Sequence, residues 1–384
     1  MKHQDRNAEE TLRRIRGTDD VSAEMREIKA SLEEESESKG GWKERLYWYW
    51  HRKALFIGCM LQLFQQLCGI NTVIYYSATI LKSAGFDSKM AIWLSCIPAS
   101  VNFLATFIGL WAVESLGRKL ILAFSFLAIS VALFILCFGF AMAQAESPTT
   151  SSVHEKVAPI GPCYAYDICH QCTKNADCGF CYLTNNFNSP TEGSCVPVSK
   201  QTTRFALHGR CALNSTTNGF SDHKALFTYE FCPSVYAYFA VAGLILFVLG
   251  FAPGAGPMPW TINAEIYPLW CRGVASSLST VTNWTCNLVV SYTFLTLIDA
   301  ITIWGTFLTF AGVSIFAASF VFMVVPETKD KSLEEIQFLF MSKDEREEQM
   351  EKKLKRESSK IGLGRPVMIR PLTKPHSDGT TELL

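Results

Sequence analysis

The residues of this chain that could do chemistry are side-chain amides set in otherwise apolar sequence. In the stretch MLQLFQQLCGINTVIYY, Gln62, Gln65 and Gln66 fall at i, i+3 and i+4, which is one face of a helix. Asn71 lies about 240° round from Gln65 on an ideal helix, so it joins that face only if the helix loosens near Gly69. Further along, Thr280, Asn283 and Asn287 share a face at i, i+3 and i+7, with Trp284 beside it. Asn102 is the one side-chain amide of its own apolar run. Amides both donate and accept hydrogen bonds, which suits a ligand made of hydroxyl groups. The competing reading is inter-helix glue, because Asn and Gln also cross-bond helices in lipid. A lone amide favours glue; four in ten residues favour a polar cavity, which Asn102 and the Thr280 face would complete. A second set is ionic. Glu114 precedes Arg118 by four residues and Glu265 precedes Arg272 by seven, each at the end of an apolar run. These read either as solvated caps or as breakable ion pairs that close one side of a path.

The elements that must carry these groups are six runs without Asp, Glu, Lys or Arg: Ala54–Leu81, Met90–Val113, Leu120–Ala145, Cys232–Ala264, Gly273–Ile298 and Ala300–Pro326. Each is 24 to 33 residues long, and about 20 residues cross a bilayer. A soluble core explains one or two such runs, not six, so the fold class is an all-α polytopic membrane protein with six transmembrane helices. Basic residues near the span ends (Arg45, Arg52, Lys53, Arg118, Lys119, Arg272, Lys329 and Lys331) all fall on one side, which makes that side and both termini cytosolic. Formal net charge is zero, and nothing points to a nucleic-acid partner. No cleavable signal peptide is read, since Met1 opens a charged stretch.

The third-to-fourth connection then faces outside. It holds eight of the 14 cysteines: Cys163, Cys169, Cys172, Cys178, Cys181, Cys195, Cys211 and Cys232. Paired C-x2-C spacings could grip zinc, but an even count on an external face favours disulfides. The sequon at Asn214 fits glycosylation in the same compartment. The segment is too poor in apolar residues to fold without staples. The Asn283-Trp284-Thr285 sequon lies inside a span and should stay unmodified. The chain therefore divides into a cytosolic linker and interfacial anchor (1–50), three spans (51–145), an external cysteine-rich loop (146–231), three spans (232–326) and a cytosolic tail (327–384). Glu9 to Ala30 and SLEEIQFLF have helical periodicity, whereas Glu33 to Ser38 reads as a flexible acidic link. The tail from about Lys343 has the composition of a disordered segment.

The fourth run ends in APGAGPMPWTINAEIYP, which packs prolines and glycines where a lipid-facing helix should be regular. The whole block, about 50 Å if straight, exceeds a hydrocarbon core of about 30 Å. Irregular backbone at that depth is tolerated where it lines a cavity or is buried in protein. Pro253, Gly256, Pro257 and Pro259 are thus expected to form a hinge carrying Trp260, the alternative being a plain structural kink.

Taken together, these stretches resemble the sugar porter branch of the major facilitator superfamily. QQLCGIN with Tyr75-Tyr76 resembles its seventh helix, with Cys68 where Ser is common. ESLGRK resembles its cytosolic turn, with Lys119 replacing the usual second arginine. GPMPWTINAEIYP resembles its tenth helix. PETKDKSLEEI resembles its C-terminal signature, with Asp330 at a usual glycine, and residues 12–31 its central cytosolic helices. The long cysteine-rich insert is similar to that of the family's proton-coupled inositol carriers, and DCGFCY resembles a plexin–semaphorin–integrin module. The resemblance implies helices 7 to 12 of a twelve-helix fold, the C-terminal half only. It implies substrate contacts at Gln65, Gln66, Asn71, Asn102, Trp260 and Asn283, and gating charges at Glu114, Arg118, Glu265 and Arg272. Asn263 is a candidate inositol discriminator. The acid expected to couple a proton belongs to the family's first helix, and the six charge-free runs hold no substitute. A partial gene model or isoform is favoured over a half that pairs with another chain.

The function expected is proton-coupled symport of myo-inositol or a related polyol or hexose in the lipid bilayer, plausibly of the plasma membrane, by a half-length chain inactive alone. The alternative is a membrane-anchored adhesion or regulatory protein acting through the cysteine-rich loop. No cofactor or metal is implied. No nucleotide loop, G-x-S-x-G elbow or H-E-x-x-H helix is present, so an enzyme is not expected.

Overall fold

The computed structural model describes residues 5–29, 53–151, 161–184, 190–199, 203–212, 225–267 and 271–340, apart from single positions within these ranges. The predicted interfacial anchor, acidic link, Asn214 sequon and charged tail lie outside them. At the N-terminal end, α1 (Asp5–Arg16) stops at Gly17, whose φ of 66° is left-handed, so the helical periodicity read from Glu9 to Ala30 resolves into two helices. Arg16 pairs with Glu24 across that turn at 2.7 Å.

Among the described residues, six helices are long and apolar enough to cross a membrane, close to the predicted runs: 53–75, 89–116, 118–145, 237–266, 272–301 and 303–324. The first is not continuous. α2 (Lys53–Leu67) ends at Gly69, which has a φ of 89°, and α3 (Ile70–Tyr75) and α4 (Ser77–Ser83) continue in short pieces. α5 (Ser88–Leu116) and α6 (Arg118–Ala145) follow, joined at Gly117. After the insert, α8 (Ala237–Gly250) runs into a π-helical turn at Phe251–Ala255, and α9 (Met258–Ile266) resumes beyond it. α10 (Arg272–Ile301) and α11 (Ile303–Val324) complete the bundle. The amphipathic stretch after the last span forms α12 (Leu333–Phe340), which packs against α9 and buries Ile336.

Side-chain polarity decides the packing. α6, the most apolar span, sits between α8 and α11, while α2 packs on α10, α9 and α11. Edge-on contacts of Phe64 with Phe316, and of Phe56 with Phe320, join α2 to α11. Close approach is needed at Gly58 on α2. A Cβ there would run into the Tyr267 hydroxyl and lie 2.7 Å from Asn263 Oδ1. Gly58→Ala should therefore force Tyr267 off its bond to Ser279 and cost about 1–3 kcal/mol, the usual range for overpacking. Thermal unfolding in detergent would show a lower midpoint, with partial recovery when Tyr267→Phe removes the clashing hydroxyl.

The insert adds what an all-α reading lacks, a small antiparallel sheet. It holds a 3₁₀ turn (Pro162–Ala165), α7 (Cys169–Lys174) and strands β1 (Cys178–Thr184), β2 (Pro190–Pro197) and β3 (Ala225–Thr228), in the order β2-β1-β3. All eight predicted cysteines are paired: Cys163–Cys178, Cys169–Cys232, Cys172–Cys195 and Cys181–Cys211. Its two small cores are built largely from these cystines with Phe180, Tyr182 and Val196. The sequence boundary at residue 232 is shifted in the structure, because Cys232 is bonded into the module and α8 begins at Ala237. At the same end of the bundle, the Tyr236 hydroxyl donates to Glu146 at 2.9 Å, and that bond raises the tyrosine's pKa. Burial, with Lys174 nearby, lowers the pKa of His170 on α7.

Candidate functional site

The break at Gly69 does what the sequence required of it. It brings Asn71 back over Gln66, so the Asn71 amide donates to Gln66 Oε1 at 2.6 Å. Gln66 Nε2 then donates to Asn283 Oδ1 across to α10 at 3.0 Å. Asn283 Nδ2 in turn donates to Gln62 Oε1 at 2.7 Å and to Gln65 Oε1 at 2.8 Å. Gln65 Nε2 donates to the carbonyls of Ala255 and Gly256 at 2.8 and 2.7 Å. One directed run of amides therefore crosses from a break in the first span, through the fifth, to a break in the fourth. Gln62, Gln65, Gln66 and Asn283 are all buried, and Asn71 is half-buried.

The far end of this relay has a backbone cause. Pro259 has no N–H, so the Ala255 carbonyl loses the donor that a regular helix would give it four residues on. The Trp260 N–H, the expected partner of Gly256, bonds to Pro257 instead at 3.2 Å. Both carbonyls are left for Gln65. A buried carbonyl without a donor costs about 1–3 kcal/mol, so the glutamine is needed where the prolines stand. The four residues expected to form a hinge lie at this break: Pro253 inside the π turn, Gly256 and Pro257 in the link, Pro259 in the first turn of α9.

Trp260 follows on α9 and stays 43% exposed, an indole with an open face beside buried amides. Asn287 is buried and accepts from Ser291 at 3.2 Å; Thr280 bonds back to its own helix, and Trp284 is exposed. Asn102 is half-buried on α5, and among the described residues its side chain makes no bond to the amide relay. The structure thus joins five of the expected amides and leaves Asn102 out. Asn263 is buried one turn beyond Trp260, where it donates to the Gly58 carbonyl at 3.4 Å. Among the described residues its Oδ1 has no partner, and neither has Gln62 Nε2.

The charged end corrects the pairing expected from spacing. Neither Glu114–Arg118 nor Glu265–Arg272 forms. Arg118 instead pairs with Glu265 on α9, at 3.2 Å, with both side chains mostly covered. Glu114 is exposed. Arg272 Nε donates to the Tyr267 carbonyl at 3.1 Å; among the described residues, Arg272 Nη2 and Glu265 Oε2 are buried without partners. Sequence spacing sees only neighbours on one helix, whereas Arg118 reaches across the bundle.

Two residues that carry this arrangement were not singled out from the sequence. Glu327, after the last span, accepts from the Arg118 N–H at 3.0 Å and the Lys119 N–H at 3.1 Å. It also accepts from Thr328 and Lys329. A carboxylate on the first two N–H groups of a helix is favoured by the helix dipole. Gly117, at φ 88°, makes room for it, because a Cβ there would lie 2.8 Å from Glu327 Oε2. Glu327 was visible only as a letter of the C-terminal signature. The other residue is Ser125, whose two bonds to the broken span are 2.6 and 2.7 Å long.

Six apolar spans around a buried polar relay, with the Arg118–Glu265 ion pair at one end, make this a multi-pass membrane protein. The chain belongs to the sugar porter family: the model of the "Sugar (and other) transporter" family matches residues 1–202 and 196–340. The proton myo-inositol cotransporter of Homo sapiens is 42% identical over 348 residues, covering 88% of this chain and 53% of that protein. Inositol transporter 4 of Arabidopsis thaliana is 33% identical, covering 85% of this chain and 57% of the relative. Among solved structures, the proton:xylose symporter XylE bound to 6-bromo-6-deoxy-D-glucose superposes with a TM-score of 0.57 at 22% identity, over 88% of this chain and 53% of XylE. That likeness is one of fold. The chain spans about half the length of the curated relatives it matches.

Proposed function

We propose that this chain holds the substrate wall of a secondary carrier that moves myo-inositol or a related polyol together with a proton. The observation that carries the reading is the amide relay from Asn71 to the Ala255 and Gly256 carbonyls. A hydroxyl both donates and accepts, so it can enter such a relay at any amide–amide bond without leaving a buried group unpaired. Gln65, Gln66, Asn71 and Asn283 bind the ring hydroxyls, and the exposed Trp260 indole packs on the ring's apolar face. Asn102 contacts substrate only once a polyol bridges it to the relay. The inositol transporters among its relatives support the substrate class.

No bond is made or broken. The Phe251–Pro257 segment bends, Trp260 moves with α9, and Glu265 on the same helix leaves or rejoins Arg118. Arg272, with one Nη unpaired among the described residues, is the alternative partner for Glu265 in the other state, and Glu114 serves Arg118 when Glu265 has left. On this reading the charged end is cytosolic and the cysteine-rich module is external. The proton is taken by a carboxylate on an opposing six-helix bundle, since none of the six charge-free runs carries one. Alternating access also needs that opposite wall, so this half alone does not transport.

The test is proteoliposome uptake of radiolabelled myo-inositol under an inward proton gradient. The full chain is reconstituted alone and together with the first six helices of a proton-coupled inositol carrier. Saturable, gradient-dependent uptake by the pair and none by the chain alone is the expected result. Equal uptake by the chain alone, or none by the pair in liposomes where the intact carrier is active, contradicts it.

A further inference from the structure

The break in the fourth span is held open from a second side, by α6. In a π turn the N–H of residue i bonds to the carbonyl of i−5, and Gly256 does this with Phe251 at 3.0 Å. The π turn over Phe251–Ala255 likewise sets the Ala255 N–H against the Gly250 carbonyl, its i−5 partner. The Ser125 hydroxyl bridges the same two groups. It accepts from the Ala255 N–H at 2.7 Å and donates to the Gly250 carbonyl at 2.6 Å. One hydroxyl, supplied by a helix 125 to 130 residues away in sequence, thus clasps both ends of this rung of the backbone ladder. The approach needs a glycine facing the serine: a Cβ on Gly254 would lie 2.5 Å from Ser125 Cβ and 2.7 Å from the Ile121 carbonyl.

We infer that Ser125 is the positioning residue of the joint: its hydroxyl, inserted between Gly250 and Ala255, sets the bend that presents the Ala255 and Gly256 carbonyls to Gln65. The physical argument is a count of partners. With the hydroxyl in place, the Ala255 N–H is paired through Ser125 and the Ala255 carbonyl through Gln65. Without it, the N–H and the Gly250 carbonyl keep only each other and draw together. That tightens the turn and changes the direction in which α9 leaves. A side chain inserted into a helix ladder is a recognised cause of a sharp kink. Here the inserted group sits on a helix that also begins at the ion-paired end, at Arg118. A shift of α6 along its axis would therefore move the hydroxyl and the Arg118–Glu265 pair together. The inference rests on reading Phe251–Pro257 as the moving joint, but not on the identity of the cargo.

The experiment uses the full chain in lipid nanodiscs and needs no transport. Ser125→Ala, Ser125→Thr and, as a control, Ser130→Ala are compared by amide hydrogen exchange and by spin-label distances between the start of α8 and the end of α9. Ser130 is a buried serine on the same helix that bonds to α11 rather than to the joint. Ser125→Ala is expected to speed exchange at Ala255 by about tenfold, the order given by one lost buried hydrogen bond, or else to shift the spin-label distance as the turn closes. Ser125→Thr, which keeps the hydroxyl, should restore both readings, and Ser130→Ala should change neither. Unchanged exchange and distance in Ser125→Ala would overturn the inference. So would equal effects from Ser130→Ala or no rescue by threonine, since either marks general loosening. Failure of inositol uptake with these local effects present would instead count against the proposed cargo.

Discussion

Asn283→Ala is expected to lower the apparent affinity and uptake of myo-inositol by roughly tenfold to a hundredfold in the assembled carrier, the loss of one to two well-made buried hydrogen bonds. Asn283 is the branch point of the relay. It accepts from Gln66 and donates to both Gln62 and Gln65. Alanine leaves those three amides without their shared partner, in a place with little access to water. The same change should reach the joint, because Gln65 holds the Ala255 and Gly256 carbonyls with the other end of its amide. Uptake kinetics indistinguishable from the unsubstituted protein would remove Asn283 from the site. Asn283→Gln keeps the chemistry but adds a methylene and should fall between the two.

The second large effect belongs to Glu327→Ala. Four backbone N–H groups, from Arg118, Lys119, Thr328 and Lys329, converge on its two oxygens. Removing the carboxylate uncaps α6 and frees the segment after α11, at a cost of about 2–3 kcal/mol, in the range for hydrogen bonds to a charged group. Hydrogen exchange at Arg118 and Lys119 should rise by at least about tenfold. Glu327→Gln should recover part of the loss, because its carbonyl oxygen can keep the three donors on Oε1 while its amide nitrogen would face the Lys119 N–H. Gly117→Ala should copy the defect from the other side, through both its left-handed backbone and its approach to Glu327. Protected Arg118 and Lys119 amides in Glu327→Ala would contradict the capping role.

Much of this architecture could be read from the chain itself, for reasons that differ between its parts. The six spans follow from charge-free length, which needs no tertiary knowledge. Asn71 is a conditional case: helical geometry puts it on the wrong face and names Gly69 as the place where that could change. The left-handed Gly69 then supplies the turn. The charged end was legible as a set of residues but not as pairs, because Arg118 and Glu265 are 147 residues apart and periodicity ranks only local neighbours. Ser125 left no signal at all. A serine in an apolar span usually bonds back to its own helix, as Ser279 and Ser314 do. Only the position of a break in another span gives Ser125 a different task. The cysteines show the same limit. Their number and compartment imply four bridges, yet eight cysteines allow roughly a hundred pairings. The sheet they staple, β2-β1-β3, is hidden because β2 reads PTEGSCVP, with a proline at each end and a glycine inside, and β3 is only four residues long.

The central claim, that the buried amides bind a polyol, is most directly tested on those amides. Side-chain ¹⁵N resonances of Gln65, Gln66, Asn71 and Asn283 can be followed by solid-state NMR in the full chain while myo-inositol is titrated, with cyclohexanol as an apolar ring of similar size. The account predicts saturable shifts at all four with myo-inositol, weak affinity for want of an opposite wall, and no matching response to cyclohexanol. Resonances that stay fixed through the titration, or that move equally with both rings, would contradict it.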